Sequence, residues 1–188
     1  MVSISWCIRQ KDGLELIEPN INVSRSYAKM AEESIETLPG VANSRIWTAV
    51  ASYYIFYYSL YSLMMRIGVK CEIHSCSLEF MRQYLHLFYS KEDSEMINKA
   101  MKARIDLQYY ADRPVDAREI EKTSKYCKIF FIKTNDLISM LTEAQIKQVR
   151  ESIQKEIFLA MQKQSTTGQA VRGQSVIIQL FEIDGSRF

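Results

Sequence analysis

Glycine and proline are scarce, six and three among 188 residues. The glycines (Gly13, Gly40, Gly68, Gly168, Gly173 and Gly185) are isolated. That argues against the phosphate-cradling loops of nucleotide hydrolases and dinucleotide enzymes, and it leaves long stretches free for uninterrupted helix. Histidine is rarer still: only His74 and His86 occur, and no Ser/His/Asp or paired-carboxylate constellation can be assigned from spacing. Long hydrophobic runs are missing too. The most apolar stretch, residues 47–65, is interrupted by Thr48, Ser52, Ser59 and Ser62, short of the roughly 18–20 apolar residues a bilayer requires. No membrane span or membrane partner is therefore expected. The opening residues lack the apolar core and small-residue cleavage site of a signal peptide. Four cysteines (Cys7, Cys71, Cys76, Cys127) without an export signal read as reduced thiols in a cytoplasmic protein. An excess of one charge is also absent. The 24 basic and 22 acidic side chains leave a net charge of +2, so bulk charge gives no argument for nucleic acid, while a local basic patch is still allowed.

What is present fits one globular domain: 47% of the residues are hydrophobic and 11% aromatic. Residues 3–9 alternate polar and apolar, Lys11-Asp12-Gly13 reads as a turn, and residues 14–17 resume the alternation, which predicts an N-terminal β-hairpin over residues 1–18. Helices follow at 23–38, stopped by Pro39-Gly40, and at 44–67, closed by Gly68. Trp47, Tyr53, Tyr54, Phe56, Tyr57, Tyr58 and Tyr61 spread around that second helix, so it must be covered on several sides. A loop over 69–74 leads to a third helix at 75–88. Ser90 caps a fourth, to about Tyr110; Asp116 with Glu119 starts a fifth, to about Leu141; Thr142 with Gln145 starts a sixth, to about Lys163. The Ser/Thr/Gly/Gln-rich residues 164–173 read as a linker, and 176–183 as a final strand, making 164–188 a tail. The expected fold is all-α: an up-and-down bundle of five to six helices over residues 22–163, with the hairpin in front and a strand behind.

The order of these parts resembles the HEPN bundle family. Residues 45–68 look like its aromatic helix, Val69-Lys-Cys-Glu-Ile-His-Ser-Cys-Ser77 resembles the turn that follows, and Met101-Lys-Ala-Arg-Ile-Asp-Leu-Gln-Tyr-Tyr-Ala-Asp112 resembles the end of its fourth helix. The opening residues 6–19 are similar to the leader of archaeal-type members. The likeness covers residues 4–141 and leaves the rest outside. It implies a homodimer with one of two roles. Many such domains are metal-independent ribonucleases, often toxins paired with a minimal nucleotidyltransferase; others bind nucleotide or a partner, or serve as scaffolds.

The family's ribonuclease motif sets an arginine and a histidine on one helix with four to six residues between them. The arginine here is Arg104, and the following positions hold Tyr109, Tyr110 and Ala111. A phenol titrating near 10 is poorly matched to base work at neutral pH. The sequence therefore points to a nucleotide-, RNA- or partner-binding module without strong catalysis, through Arg104, Asp106, Gln108, Asp112 and His74. The enzymatic alternative is a ribonuclease using Arg104 with Tyr109 or Tyr110, and the non-binding alternative is a purely structural assembly module. His74 with Cys71 and Cys76 is too crowded, and too short of a second ligand pair, for a zinc site. No metal or cofactor is expected.

Overall fold

The computed structural model describes residues 2–110 and 112–169, with side chains in the last helix described as far as Gln162. Seven α-helices dominate: α1 (Ile4–Arg9), α2 (Ile21–Thr37), α3 (Arg45–Ile67), α4 (His74–Tyr84), α5 (Lys91–Tyr109), α6 (Ala117–Met140) and α7 (Glu143–Gln169). A short 3-10 turn over Leu38–Val41 links α2 to α3, and two short strands, β1 (Glu15–Leu16) and β2 (Val69–Lys70), complete the described residues. The all-α class expected from the sequence is the one found.

The caps explain the boundaries. Asn20, Ser44 and Ser90 each accept a backbone N–H from the first turn of α2, α3 and α5. Ser90 and Asp93 form a reciprocal capping box. Asp116 accepts from the Arg118 amide at the start of α6, and Thr142 and Gln145 cap α7 reciprocally. Gly68 ends α3 with φ +82°, its amide donating to the Met64 and Met65 carbonyls. A side chain there would also strike the Arg150 guanidinium. That guanidinium donates to the carbonyls of Ile17, Ile67 and Gly68 at 2.6, 3.0 and 3.0 Å, tying α7 to the end of α3.

Helix α3 is the centre of the bundle. It packs chiefly against α2, α5 and α6 and also meets α4, α7 and β2. Tyr53, Ile55, Phe56, Leu60, Leu63, Met64 and Ile67 are fully buried, as an all-round apolar helix requires.

Four features differ from the sequence reading. The first arm of the hairpin is helix α1, and the second arm, β1, pairs with β2 instead (Glu15 opposite Lys70, Leu16 opposite Val69). The i,i+3 pair Ile4 and Cys7 buries one face of α1, and Ser3 caps it by accepting the Trp6 amide; these tertiary contacts override the local alternation. In the turn that follows it is Asp12, not Gly13, that takes positive φ (60°), whereas Gly13 is needed because a Cβ there would strike the Cys7 carbonyl. Second, Cys7 and Cys76 form a disulfide with Cα atoms 5.7 Å apart, where reduced thiols were expected; Cys71 and Cys127 are free and buried. Third, α4 ends at Tyr84, because Leu85 and Tyr89 turn into the core and Tyr89 stacks on Phe130. Fourth, helix α7 runs to Gln169, beyond the expected start of the linker at 164, since propagation gains a hydrogen bond per residue and Ser and Thr oppose it only weakly. The strand expected over 176–183 lies outside the described residues.

Candidate functional site

Arg104 sits in the last two turns of α5 and reaches toward the middle of α3. Its guanidinium carbon lies 5.3, 5.4 and 5.7 Å from the ring centroids of Tyr53, Tyr54 and Tyr109. Its Nη2 donates long bonds to the hydroxyls of Tyr109 (3.4 Å) and Tyr54 (3.5 Å). Its Nε is buried and has no hydrogen-bond partner. Among the described residues no carboxylate forms an ion pair with it. A half-buried cation held only by neutral aromatic groups keeps its charge available for an anion.

His74, the first residue of α4, arrives from the other side of Tyr53. Its Nδ1 is hydrogen-bonded to the Tyr53 hydroxyl, and its ring lies flat on Tyr57 (centroids 4.0 Å apart, 10° between planes). Burial lowers the His74 pKa, and the Arg104 charge lowers it further, so the imidazole is neutral at pH 7. Burial pushes the Tyr53 phenol far up, with Tyr57 adding to the rise and Arg104 only partly opposing it. Tyr53 is therefore a protonated link between a cation and a neutral imidazole, and the direction of its bond to His74 follows the imidazole tautomer.

The other residues singled out in the sequence divide between faces. Residues two apart on a helix lie about 200° around it, and Asp106 accordingly turns away from Arg104. It is buried and paired with Arg113 at 2.8 Å, with Lys102 at 3.9 Å. Tyr110 belongs to that second cluster, its ring 3.5 Å from the Arg113 guanidinium. Gln108 and Asp112 are exposed, and neither is joined to Arg104 by an ion pair or hydrogen bond. Tyr109, five residues after Arg104, does join it and is 62% exposed. The single predicted cluster is thus two: Arg104 with Tyr109 and His74, and Asp106 with Arg113 and Tyr110. The walls of the first, Tyr53, Tyr54 and Tyr57, were read as core. Nothing local in the sequence separates them from the core tyrosines of α3; their packing partner α5, which carries Arg104, does.

The basic residues near His74 are already engaged, Arg66 with Glu143 (2.8 Å) and Lys70 with Glu72 (2.9 Å). Cys76 is bonded to Cys7, and the Cys71 thiol donates to the Ile73 carbonyl. Among the described residues no group of three or more His, Cys, Asp or Glu could hold a metal ion, and no helix is long and apolar enough to cross a membrane.

No family model matches the chain, and no curated protein or solved structure matches it either. The site therefore stands on its own geometry.

Proposed function

We propose that this chain is a HEPN-like homodimer whose Arg104 face binds the phosphate of RNA or of a nucleotide, without strong catalysis. The observation that carries this reading is the company Arg104 keeps. The buried carboxylates Glu79, Asp93 and Asp106 each pair with a basic side chain, and half-buried Arg150 spends its guanidinium on three backbone carbonyls, whereas Arg104 is held against three tyrosine rings that leave its charge uncancelled. Planar, fixed guanidinium groups suit phosphate better than ammonium groups do. The exposed Ile129, Ile132 and Met140 on α6 supply apolar surface of the kind a second copy covers.

A second reading, a metal-independent ribonuclease, is favoured by one observation. A neutral imidazole, His74, enters the neighbourhood of Arg104 from a different helix. Tyr109, the other basic candidate, offers only a phenol at an exposed position.

The test is binding of a labelled single-stranded RNA, followed by anisotropy, with cleavage of the same RNA measured in EDTA. Arg104→Ala is expected to weaken binding about tenfold or more, the value of a charge-assisted hydrogen bond, with no cutting by either protein. Undiminished binding by Arg104→Ala would overturn the reading. Cutting in EDTA that disappears in both Arg104→Ala and His74→Ala would replace it with the ribonuclease.

A further inference from the structure

The aromatic groups around Arg104 are not all core. Tyr53 and Tyr57 are closed off, but Tyr54 is only half-buried, Trp47 is 57% exposed and Tyr109 is 62% exposed. Trp47, Tyr54 and Tyr58 are seven and four residues apart on α3, a spacing that sets them on one helix face. Tyr54 and Tyr58 are stacked with centroids 5.2 Å apart. Contacts also fix the direction of α5. Arg104 lies at Tyr53 and Tyr54, while Ala103 and Leu107 pack with Ala49. The two helices are therefore antiparallel, and Tyr109 falls toward the Trp47 end of α3.

Burial does not account for the placement of Tyr109. Its hydroxyl is held by Arg104 while its ring faces solvent. An exposed ring held in place loses little freedom when a flat partner covers it. It stands beside a cation that lacks a carboxylate.

We propose that Tyr109, assisted by Tyr54 and Trp47, is a nucleobase-stacking face, so that the ligand is an unpaired nucleoside phosphate with its phosphate on Arg104 and its base on the Tyr109 ring. This rests on the phosphate-binding reading and narrows it to one ligand class. Every base has a π-face, so stacking predicts tolerance of sequence. Duplex nucleic acid hides those faces and is excluded. Inorganic phosphate fills only the Arg104 half.

The experiment compares four probes on the purified chain: inorganic phosphate, adenosine 5′-monophosphate, a ten-nucleotide oligoadenylate and a ten-base-pair RNA duplex. The wild type is expected to prefer the mononucleotide to phosphate by about fivefold to 150-fold, the range found when stacked aromatics are removed. Tyr109→Ala should reduce that ratio to about one, whatever the loss of its contact with Arg104 does to phosphate affinity itself, and Tyr109→Phe, which keeps the ring, should keep the ratio. A further gain with the oligoadenylate identifies the source as a single strand; equal affinity identifies a free nucleotide. Equal binding of phosphate and mononucleotide by the wild type overturns the stacking face and leaves Arg104 as a phosphate site. Failure of all four probes overturns both. A change of oligomeric state in Tyr109→Ala with no change in the ratio makes the aromatic face a contact between copies and overturns the proposal. Tyr109 is surface-exposed, so its variants keep the core intact.

Discussion

Two charges toward opposite ends of α5, buried Asp93 and half-buried Arg104, are treated in opposite ways. At the N-terminal end Asp93 is 2% exposed and fully answered. Lys133 donates to it at 2.5 Å, Tyr126 at 3.1 Å, and both the amide and the hydroxyl of Ser90 donate to it. Burial alone would raise the Asp93 pKa, yet the bonds from Lys133 and Ser90 outweigh it and hold the carboxyl below its ordinary value. At the C-terminal end Arg104 has rings instead of a carboxylate, and its Nε has no partner. A charge whose hydrogen bonds are all made within the chain contributes to stability. A charge positioned precisely enough to touch three rings and left without a counter-ion is available to something outside. The contrast sets Asp93 among the charges answered within the fold and is the basis of the role proposed for Arg104.

The largest effect is expected away from α5, at the bridge that anchors α4. Cys7 and Cys76 are 69 residues apart. Opening a loop of that size removes up to about 4 kcal/mol of stability on a chain-entropy basis. Cys7→Ser should lower the urea midpoint accordingly. Because His74 is also held by Tyr53 and Tyr57, affinity at 25 °C should stay within about twofold of wild type in the fraction that is folded. A large loss of affinity in folded protein would mean that the site depends on the bridge itself.

Next comes Asp93→Ala, expected to cost about 3 kcal/mol or more, since it leaves Lys133 without its partner and removes one side of a capping box. Urea unfolding measures it, and a cost below about 1 kcal/mol would erase the contrast between the two ends. Acid should act through the same group. Because the folded pKa of Asp93 is depressed, its stabilisation is present above the ordinary carboxylate value and is lost as pH falls through the folded value. Asp93→Asn should flatten that part of the profile.

Arg104→Ala is expected to cost only about 1 kcal/mol, the value of partly exposed cation–π contacts. The smallest effect belongs to His74. Its folded pKa is lowered by burial and by Arg104, so as pH falls below about 6.5 the unfolded chain takes up a proton that the folded chain resists. Stability should decline with acidity until pH passes the folded value. His74→Gln should remove that slope, and a slope of opposite sign would place a carboxylate, rather than Arg104, beside the ring.

Much of the fold was legible because its signals are local. Ser44 and Gly68 bracket α3, Ser90 with Asp93 opens α5, and Asp116 and Thr142 open α6 and α7. What was not legible depends on contacts between distant residues. Residues 4–9 have a strand-like alternation, and only the docking of Ile4 and Cys7 makes them helical. No spacing rule joins Cys7 to Cys76. The site was half legible. Arg104 and Tyr109 lie five residues apart on one helix and meet through their long side chains, but the separation of Asp106 from Arg104 required helix geometry to be weighed against simple proximity in sequence. The meeting of His74 with Arg104 passes through Tyr53 on a third helix, and tyrosines in an apolar helix read as core until their neighbours are known.

The measurement that tests the central claim most directly sets stability against ligand affinity in one variant. Arg104→Ala is unfolded in urea and titrated with single-stranded RNA alongside the wild type. A stability change of about 1 kcal/mol is expected together with a loss of affinity of about tenfold or more. A large loss of stability with RNA affinity unchanged in the folded protein would contradict it, placing Arg104 with Asp93 among the charges that serve only the fold.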